Sequence, residues 1–352
     1  MNSPEVKICD CFVGERHEPF ITAELSGNHN QSIDRAIELI ESAAQCGVDA
    51  IKLQTYTADT ITLKSSKESF TVRGSNGDWE GRTLYDLYDT AHTPWEWHKR
   101  LFDYAKSLGL IIFSSPFDHS AVDFLMDLEV PCFKIASFEN TDVELIKKVA
   151  STKKPVILST GMASLGEIER SVNLIHKYGC GEIILLKCTS TYPANPLNSN
   201  LRTISHLKQS FGCPVGVSDH TMGIGVSVGA VALGASFVEK HFTLDRSDGG
   251  VDSSFSMEPH EMALLVNESK ICWQSMGQVK YGVSEEEKSS LKFRRSIYIT
   301  QDLKTGDKIS RENIKSVRPG FGLKIEMLPN VLGMRVTQDI PANTPLSWDH
   351  FK

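Results

Sequence analysis

The chain has 352 residues, of which 40% are hydrophobic and 23% charged, and its formal net charge is −7 at pH 7. These values are typical of a globular protein, and the acidic balance argues against nucleic acid or an anionic membrane as the main partner. No segment reaches the ~18 consecutive apolar residues of a membrane-spanning helix, and the N-terminus lacks the basic start and apolar core of a signal peptide. The eight cysteines are scattered without a CxxC pair, so we expect reduced thiols in a cytoplasmic protein.

The N-terminal stretch precedes the first strongly apolar run and carries Cys9 and Cys11. We expect it to be a floppy terminus with incidental thiols. After it, eight short β-branched runs alternate with amphipathic helical patterns. The runs cover residues 20–24, 48–54, 110–115, 132–137, 155–160, 182–189, 214–219 and 236–242.

The helical segments carry start and stop signals. One opens with Ser32 as its N-cap and stops at Gly47, and the segment from Ser164 to Gly179 has the same design. In a third segment, "TPWEWHKRLFDYAKSLG", Thr93 is expected to be the cap, with Pro94 at the first helical position.

Eight strand–helix units predict a parallel α/β fold and fit a closed (β/α)8 TIM barrel better than an open, doubly wound sheet, which is the structural alternative. We expect the barrel to occupy residues 1–281, followed by a charged linker at 282–292. Short strand-like runs broken by "KTGDK" and "PANTP" then predict a small β domain at 293–352. The long excursion at residues 55–93 is polar and aromatic, and we expect it to cover a substrate.

Nearly every predicted strand ends in polar residues, which favours a ring of side chains around one pocket at the C-terminal end of a barrel. Because successive side chains of a strand alternate, Lys52 lies on the same face as Gln54, and Glu239 on the same face as His241. The polar strand ends are Glu24, Lys52, Gln54, Ser115, Lys134, Ser137, Ser159, Ser190, Tyr192, Ser218, His220, Glu239 and His241.

Two histidines, His220 and His241, follow neighbouring strands. A single histidine is more often structural, but a pair at adjacent strand ends indicates a divalent metal with open positions, such as Mn²⁺ or Mg²⁺. A closed structural zinc site is not expected, because it requires four protein ligands.

Four lysines lie in or at the end of apolar strands: Lys52, Lys134, Lys187 and Lys240. They predict a locally cationic pocket for a small anion, with serine hydroxyls completing a cradle for phosphate and carboxylate; ordinary salt bridges are the alternative. The chain has no GxxxxGK[ST] loop and no GxGxxG after a strand, so nucleotide binding is disfavoured. Among the acids, Asp252 in a Gly/Ser/Asp loop could be a general base, a sugar-hydroxyl acceptor or a solvated loop acid.

An ordered set of motifs resembles the sialic acid synthase family over residues from about 20 to the C-terminus. The motifs are "AELSGNHN", "IKLQTY", "FSSPFD", "FKIASFE", "ILSTGM", "KCTSTYP", "GVSDHT", "EKHFTLD" and "SMEPHE". The family condenses phosphoenolpyruvate with an amino sugar to make nine-carbon nonulosonic acids. The C-terminal part, with "VRPGFGL", resembles the family's antifreeze-like (SAF) domain.

Within the family, "DRSDGGVDSSFSMEP" resembles the pseudaminic-acid-forming branch. The implied acceptor is 2,4-diacetamido-2,4,6-trideoxy-L-altrose, and phosphate is the implied second product. N-acetylneuraminate synthases commonly carry Asn where this chain has Ser190, and a GPDH-like sequence where it has Gly250, Val251 and Asp252.

The resemblance also implies a role for each site residue. His220 and His241 would bind the metal (Mn, Mg or Co). Arg318 would reach the acceptor sugar in the partner's barrel, within a domain-swapped homodimer. Phosphoenolpyruvate would be held by Lys52, Ser115, Lys134, Ser137, Ser159 and Ser218. The catalytic acids would be Glu24, Glu139 and Asp252, and the other sugar contacts Gln54, Ser190 and Tyr192.

Alternatives remain at this point. Within the family, the acceptor could be N-acetylmannosamine or a legionaminic acid precursor. A phosphoenolpyruvate-dependent sugar-phosphate synthase is a more distant enzyme, and the chain has no Arg-rich clamp for a second phosphate. An inactive barrel that binds a carbohydrate or a protein partner is the hypothesis from another functional class.

Overall fold

The structure is a computed structural model that describes residues 4–73, 79–179 and 181–352. The chain divides into two compact units, one ending at Gly277 and the other spanning Gln278–Lys352. Residues 74–78 of the predicted substrate-covering excursion lie outside the described residues. The division into residues 1–281, 282–292 and 293–352 stays a prediction.

Eight parallel strands close into a barrel in the first unit, with β10 paired to β3. All eight predicted runs form these strands, each within about two residues of the expected limits. The closed barrel is therefore confirmed, and the open sheet is wrong. The strands are β3 (Phe20–Glu24), β4 (Ala50–Thr55), β5 (Ile111–Pro116), β6 (Phe133–Ile135), β7 (Val156–Ser159), β8 (Ile183–Cys188), β9 (Val215–Ser218) and β10 (Phe237–His241).

Eight helices pack around the barrel, and two more, α2 and α3, lie in the excursion after β4. The apolar side chains between strands and helices form the main core, which includes Leu39, Phe102 and Ile175. The helices are α1 (Ile33–Gln45), α2 (Ala58–Ile61), α3 (Leu84–Ala91), α4 (Trp95–Ser107), α5 (His119–Asp127), α6 (Val143–Ser151), α7 (Leu165–Tyr178), α8 (Thr203–Phe211), α9 (Gly225–Ala232) and α10 (Pro259–Met276).

The helix caps agree with the sequence signals in two cases and differ in one. Ser32 caps α1, and Ser164 caps α7 in a reciprocal pair with Glu167, so both predictions are confirmed. Thr93 does not cap α4: Pro94 is the N-cap, without a side-chain bond. The Thr93 hydroxyl lies 3.2 Å from His29 Nε2 instead, because the buried imidazole offers it a partner.

The N-terminal stretch is an ordered hairpin, so the expectation of a floppy terminus is wrong. Strands β1 (Val6–Ile8) and β2 (Cys11–Val13) pair antiparallel. Their apolar side chains join those of the barrel interior in one cluster with Phe20, Phe113 and Phe237. The hairpin thus gains its order from burial of apolar surface, whereas Cys9 and Cys11 remain exposed.

The second unit has its own small core. Strands β11 (Ser296–Ile299) and β12 (Ile314–Val317) pair antiparallel, and a short helix α11 spans Leu328–Val331. The expected third run, residues 331–340, forms only isolated bridges, such as Leu303 with Ile340. Its apolar members Val331, Val336 and Ile340 are still buried. Among the residues that the structure describes, no helix is both long and apolar enough to cross a membrane.

Candidate active site

A cavity of about 600 Å³ opens at the C-terminal ends of the barrel strands. Every site residue predicted in the barrel lines it, although the strands that carry them are spread over more than two hundred positions of the chain. The predicted residues found there are Glu24, Lys52, Gln54, Ser115, Lys134, Ser137, Glu139, Ser159, Ser190, Tyr192, Ser218, His220, His241 and Asp252.

Strand register brings the charged residues together. Glu24 pairs with Lys52 on one side and with His241 on the other, and Ser218 pairs with Glu239. Register partners in a parallel sheet point to the same face. Glu24, Lys52, His241, Ser218 and Glu239 therefore all face the barrel mouth.

A buried ion cluster lies at the bottom of the cavity. Glu239 Oε1 is 2.9 Å from Lys52 Nζ and 3.1 Å from Lys134 Nζ, and it accepts a 2.9 Å hydrogen bond from Ser218. Lys52 also reaches Glu24 Oε2 at 2.6 Å. We call Lys52, Lys134, Glu239 and Ser218 the cavity cluster.

The two lysines of the cavity cluster differ in electrostatics. Burial lowers the pKa of Lys134, and the nearby Glu239 only partly offsets it. Burial also opposes the charge of Lys52, but Glu239 and Glu24 outweigh it and raise that pKa. The same lysines keep the pKa of Glu239 below its ordinary value despite its burial. Each of the three charges is therefore supported by the opposite charges beside it.

The prediction of a cationic pocket built from four lysines is wrong. Lys187 instead bonds to the Cys188 carbonyl at 2.7 Å, and Lys240 pairs with Asp219 at 3.0 Å. Strand alternation explains this, because Lys240 follows Glu239 and so points away from the cavity. Lys52 and Lys134 line the cavity together with four carboxylic side chains, so the two lysines do not make it cationic. The four are Glu24, Glu139, Glu239 and Asp252.

The two histidines lie side by side, with ring centroids 5.2 Å apart. His220 Nδ1 is 3.0 Å from the Thr189 carbonyl, which leaves Nε2 free. His241 lies 3.6 Å from Glu24 and 3.8 Å from Asp252, and Tyr192 packs on His220 at 4.4 Å. Across residues 4–73, 79–179 and 181–352, no three His, Cys, Asp or Glu side chains form a metal-binding group by themselves.

Several buried polar atoms of the cavity have no hydrogen-bond partner within the described part of the chain. They are Ser115 Oγ, Ser159 Oγ, Glu139 Oε2, Glu239 Oε2 and His241 Nδ1. A buried polar atom without a partner costs about 1–3 kcal/mol, so it usually meets a ligand, an ion or water. This concentration of unpaired atoms in one cavity indicates a binding site for a polar ligand.

The carboxylates have different environments. Burial raises the pKa of Glu139 to about 7. Burial also raises the pKa of Asp252, which His241 and a short hydrogen bond from Ser26 partly offset. Glu24 has a lowered pKa: burial opposes its charge, but Lys52 and His241 outweigh burial. Glu139 therefore exchanges its proton near neutral pH.

Sequence reasoning missed several cavity residues. Glu239 was expected on the pocket-facing side of its strand, together with His241, but it was given no role in the site. Ser26 bonds to both Asp252 and Gln54, and Cys188 lies 3.9 Å from His220. Apolar side chains of the excursion after β4, such as Leu84, Leu87 and Ala91, also line the cavity. The excursion was expected to cover a substrate, but the helical spacing of these residues resembles that of ordinary core residues, so none of them was singled out.

Arg318 belongs to the second unit, directly after β12. Its predicted contact with the acceptor sugar of a partner subunit stays a prediction.

The fold and the cavity define a class: a TIM-barrel enzyme whose strand ends gather lysines, carboxylates and two histidines around a polar ligand site. The NeuB family model matches residues 39–281, and the SAF domain model matches residues 294–352. The chain belongs to the NeuB family and is a transferase.

Relatives and a solved structure agree with this assignment. The pseudaminic acid synthase of Campylobacter jejuni is 41% identical over 333 residues, covering 95% of this chain and 96% of the relative. The N,N'-diacetyllegionaminic acid synthase of Legionella pneumophila is 37% identical, covering 95% and 94%. The crystal structure of N-acetylneuraminic acid synthetase from Leptospira borgpetersenii superposes with a TM-score of 0.73 at 31% identity, covering 83% of this chain and 96% of that one.

Proposed function

We propose that this enzyme condenses phosphoenolpyruvate with 2,4-diacetamido-2,4,6-trideoxy-L-altrose to give pseudaminic acid and phosphate. One observation carries the proposal: a single cavity joins two buried lysines and unpaired serine hydroxyls, which suit an anion, to two adjacent histidines. Membership of the NeuB family and the 41% identity to a pseudaminic acid synthase support this reaction. A cytoplasmic location is part of the proposal.

Phosphoenolpyruvate would lie over the cavity cluster. Lys52 and Lys134 are charged groups for its phosphate and carboxylate, and charge-assisted hydrogen bonds are about twice as strong as neutral ones. The buried hydroxyls of Ser115 and Ser159 would donate to the same anion, which satisfies atoms that otherwise have no partner in the described chain. Ser137 and Ser218 lie around the same cavity floor.

The residues around His220 and His241 fit a divalent ion. The Thr189 carbonyl orients His220 through a hydrogen bond to Nδ1, as carbonyl groups commonly do for metal-binding imidazoles. The surrounding Glu24, Glu239 and Asp252 supply negative charge that the two lysines do not exceed. Two protein ligands leave positions for water and substrate oxygens, as Mn²⁺, Mg²⁺ or Co²⁺ requires. When bound, the ion would supply Lewis-acid polarisation of the sugar aldehyde.

The reaction balances as follows. The C3 carbon of phosphoenolpyruvate attacks the aldehyde carbon, and the new C–C bond leaves cationic character at C2 while the aldehyde oxygen gains a proton. Water adds to C2 and gives its proton to a base. The C2–O bond to phosphate then breaks while the C2 hydroxyl transfers its remaining proton to the departing phosphate, so that the ketone forms and hydrogen phosphate is released. Lys52 and Lys134 would stabilise the phosphate throughout, and Glu139 would accept the proton from water.

The choice of sugar rests on local sequence. Ser190 and Val251 line the cavity at positions where N-acetylneuraminate synthases commonly differ. A legionaminic acid synthase remains a second candidate, because such a relative is 37% identical over most of the chain. The two reactions differ only in the stereochemistry of a diacetamido 6-deoxy acceptor.

The test is phosphate release from phosphoenolpyruvate with a panel of sugars: the altrose derivative, the legionaminic acid precursor and N-acetylmannosamine. We expect the highest kcat/KM for the altrose derivative. A higher value for either other sugar would reassign the substrate within the family. Release of phosphate with none of them would contradict the proposed reaction and favour the inactive-barrel hypothesis.

We also propose a homodimer in which Arg318 contacts the acceptor bound in the partner's barrel. The support is the family resemblance of "SVRPGFGL", in which the family's arginine contacts the acceptor. Arg318→Ala and His220→Ala should each inactivate the homodimer. After subunit exchange, one site of each heterodimer has both an intact barrel and an intact Arg318, so activity should return. Demonstrated heterodimers without activity would show that Arg318 does not act in a partner's site.

A further inference from the structure

Helix α3 presents an apolar stripe to the cavity. The stripe repeats at helical spacings of three and four residues, so its members share one face of α3. They are Leu84, Leu87, Tyr88 and Ala91, and all four line the cavity wall. Phe117, which follows β5, lines the same wall. A stripe of this kind normally packs against protein. Here it bounds a ligand cavity, and we call these five residues the apolar wall.

The Phe117 end of the apolar wall lies opposite the histidines, whereas the C-terminal end of α3 is hydrogen-bonded to Gln31 in the segment after β3. The strand order around the barrel is β10-β3-β4-β5-β6-β7-β8-β9. The wall is contributed by the connections that follow β4 and β5, whereas His220 follows β9 and His241 ends β10. In an eight-membered ring, β5 is diametrically opposite β9. A ligand that reaches across the cavity from the histidines therefore meets the wall at Phe117.

Hydrogen bonding and ring packing hold the excursion at the cavity. Trp79 Nε1 donates a 2.8 Å hydrogen bond to the Val251 carbonyl in the loop after β10, and its ring lies 6.3 Å from that of Tyr192. Tyr56 packs edge-on against both Tyr88 and Phe117, at 5.7 and 5.2 Å. Leu87 is only 4% exposed. These contacts with the loop after β10 and with Tyr56 thus hold the apolar wall in place.

We propose that the apolar wall is the subsite for the 6-deoxy, methyl-bearing end of the acceptor sugar. This inference rests on the proposed function and deepens it, because it assigns the residues that select a methyl group over a hydroxymethyl group. A hydroxyl buried against Leu84 and Leu87 would lose its water without gaining a partner. A hydrophobic pocket rejects such an added hydroxyl by about 100-fold.

The experiment compares two acceptors that differ by one hydroxyl. They are 2,4-diacetamido-2,4,6-trideoxy-L-altrose and its 6-hydroxy counterpart, and the measured quantity is the ratio of their kcat/KM values. Leu84→Asn should lower this ratio from about 100 to below about 10, because the amide offers the hydroxyl a partner. Leu87→Ala should lower it as well, by making room for the hydroxyl and water. The KM for phosphoenolpyruvate should not change.

Leu63→Asn is the matched control, since Leu63 lies in the same excursion, is 67% exposed and is not part of the apolar wall. It should leave the ratio unchanged. Thermal unfolding of each variant checks that it is folded. If Leu84→Asn and Leu87→Ala are folded and lower kcat/KM for both sugars equally, the wall has no role in selectivity and the inference is overturned. If the wild-type enzyme releases no phosphate with any sugar, the proposed function itself fails, and the subsite fails with it.

Discussion

Strand β10 contributes to two buried lysine clusters, one on each of its faces. The two clusters differ in how completely their polar atoms are hydrogen-bonded. Glu239 and Lys240 are neighbours on β10 and point in opposite directions. Glu239 belongs to the cavity cluster with Lys52 and Lys134. Lys240 belongs to a second cluster behind the barrel wall, with Asp219, Thr221 and Ser227. We call the latter the sealed cluster.

The sealed cluster is fully paired. Lys240 Nζ donates to Asp219 at 3.0 Å, to the Thr221 carbonyl at 2.6 Å and to the Gly223 carbonyl at 3.0 Å. Asp219 accepts further bonds from the Thr221 backbone and hydroxyl and from Ser227. All three protons of the ammonium group therefore have acceptors, and the cluster fixes the loop that carries His220.

The cavity cluster is only partly paired. Glu239 Oε2 and the nearby hydroxyls of Ser115 and Ser159 lack partners within the described chain. In the sequence, the lysines of both clusters look alike, since each interrupts an apolar strand. A buried lysine therefore indicates a binding site when polar atoms around it remain unpaired, and a structural role when they do not.

Removal of the proposed metal should have the largest effect on activity and little effect on the sealed cluster. Dialysis against a chelator should abolish phosphate release, because the aldehyde loses its Lewis acid. The unfolding transition should remain cooperative, because the barrel has its own core. Mn²⁺, Mg²⁺ or Co²⁺ should restore turnover. Full activity with metal content shown to be negligible would contradict the assignment of His220 and His241.

The barrel and most of the cavity could be predicted because each of their signals is local. Eight alternating strand and helix patterns define a closed barrel, and the alternation of side chains places Lys52, Gln54 and His241 on the mouth-facing side. The N-terminal hairpin could not be predicted, because its order comes from burial in a cluster that includes Phe113 and Phe237, which are far away in sequence.

The direction of Lys240 was predictable in principle, since it alternates with Glu239 and His241. The sequence could not supply its partner, because Asp219 lies on the preceding strand's loop and pairs through tertiary contact. The apolar wall was hidden for a related reason. A helix stripe such as Leu84, Leu87 and Ala91 has the same spacing whether it faces a protein core or a cavity.

Breaking the sealed cluster should affect stability most. Lys240→Met leaves Asp219 buried without its counter-charge, so we expect a loss of about 3–5 kcal/mol in the free energy of unfolding. Urea unfolding followed by circular dichroism measures it. Lys270→Met is the control, because Lys270 is 40% exposed in its pair with Glu18 and should cost less than about 1 kcal/mol. Similar losses for both variants would show that the sealed cluster has no special structural role.

Breaking the cavity cluster should affect activity more than stability. In Lys134→Met, Glu239 keeps Lys52 and Ser218 as partners, so the fold remains compensated. The phosphate loses one fixed cation, and kcat/KM should fall by about 10²- to 10³-fold. Lys187→Met is the matched control two strands further along the barrel, because Lys187 bonds to backbone and Thr189 rather than to the cavity cluster. Equal activities of the two variants would contradict the role of Lys134.

The smallest expected effect on activity is the pH dependence that Glu139 imposes. Its Oε2 atom is buried without a partner in the described chain, and burial raises its pKa to about 7. Lys134, Asp142 and Lys52 also act on it, but burial is the largest cause. Below that pH the carboxyl is protonated and cannot accept a proton from water. The value of kcat/KM should therefore fall about tenfold for each pH unit below about 7.

Glu139→Gln should remove this acidic limb of the pH profile and leave a low, flat rate. A second group could produce a similar limb, because the pKa of Cys188 also lies at about 7: burial opposes its ionisation, but a hydrogen bond from His220 and the charge of that ring outweigh burial. Cys188→Ser separates the two explanations. If Glu139 is the base, the serine variant keeps the limb. If the limb persists in Glu139→Gln and disappears in Cys188→Ser, the thiol and His220 control the profile, and Glu139 does not accept the proton from water.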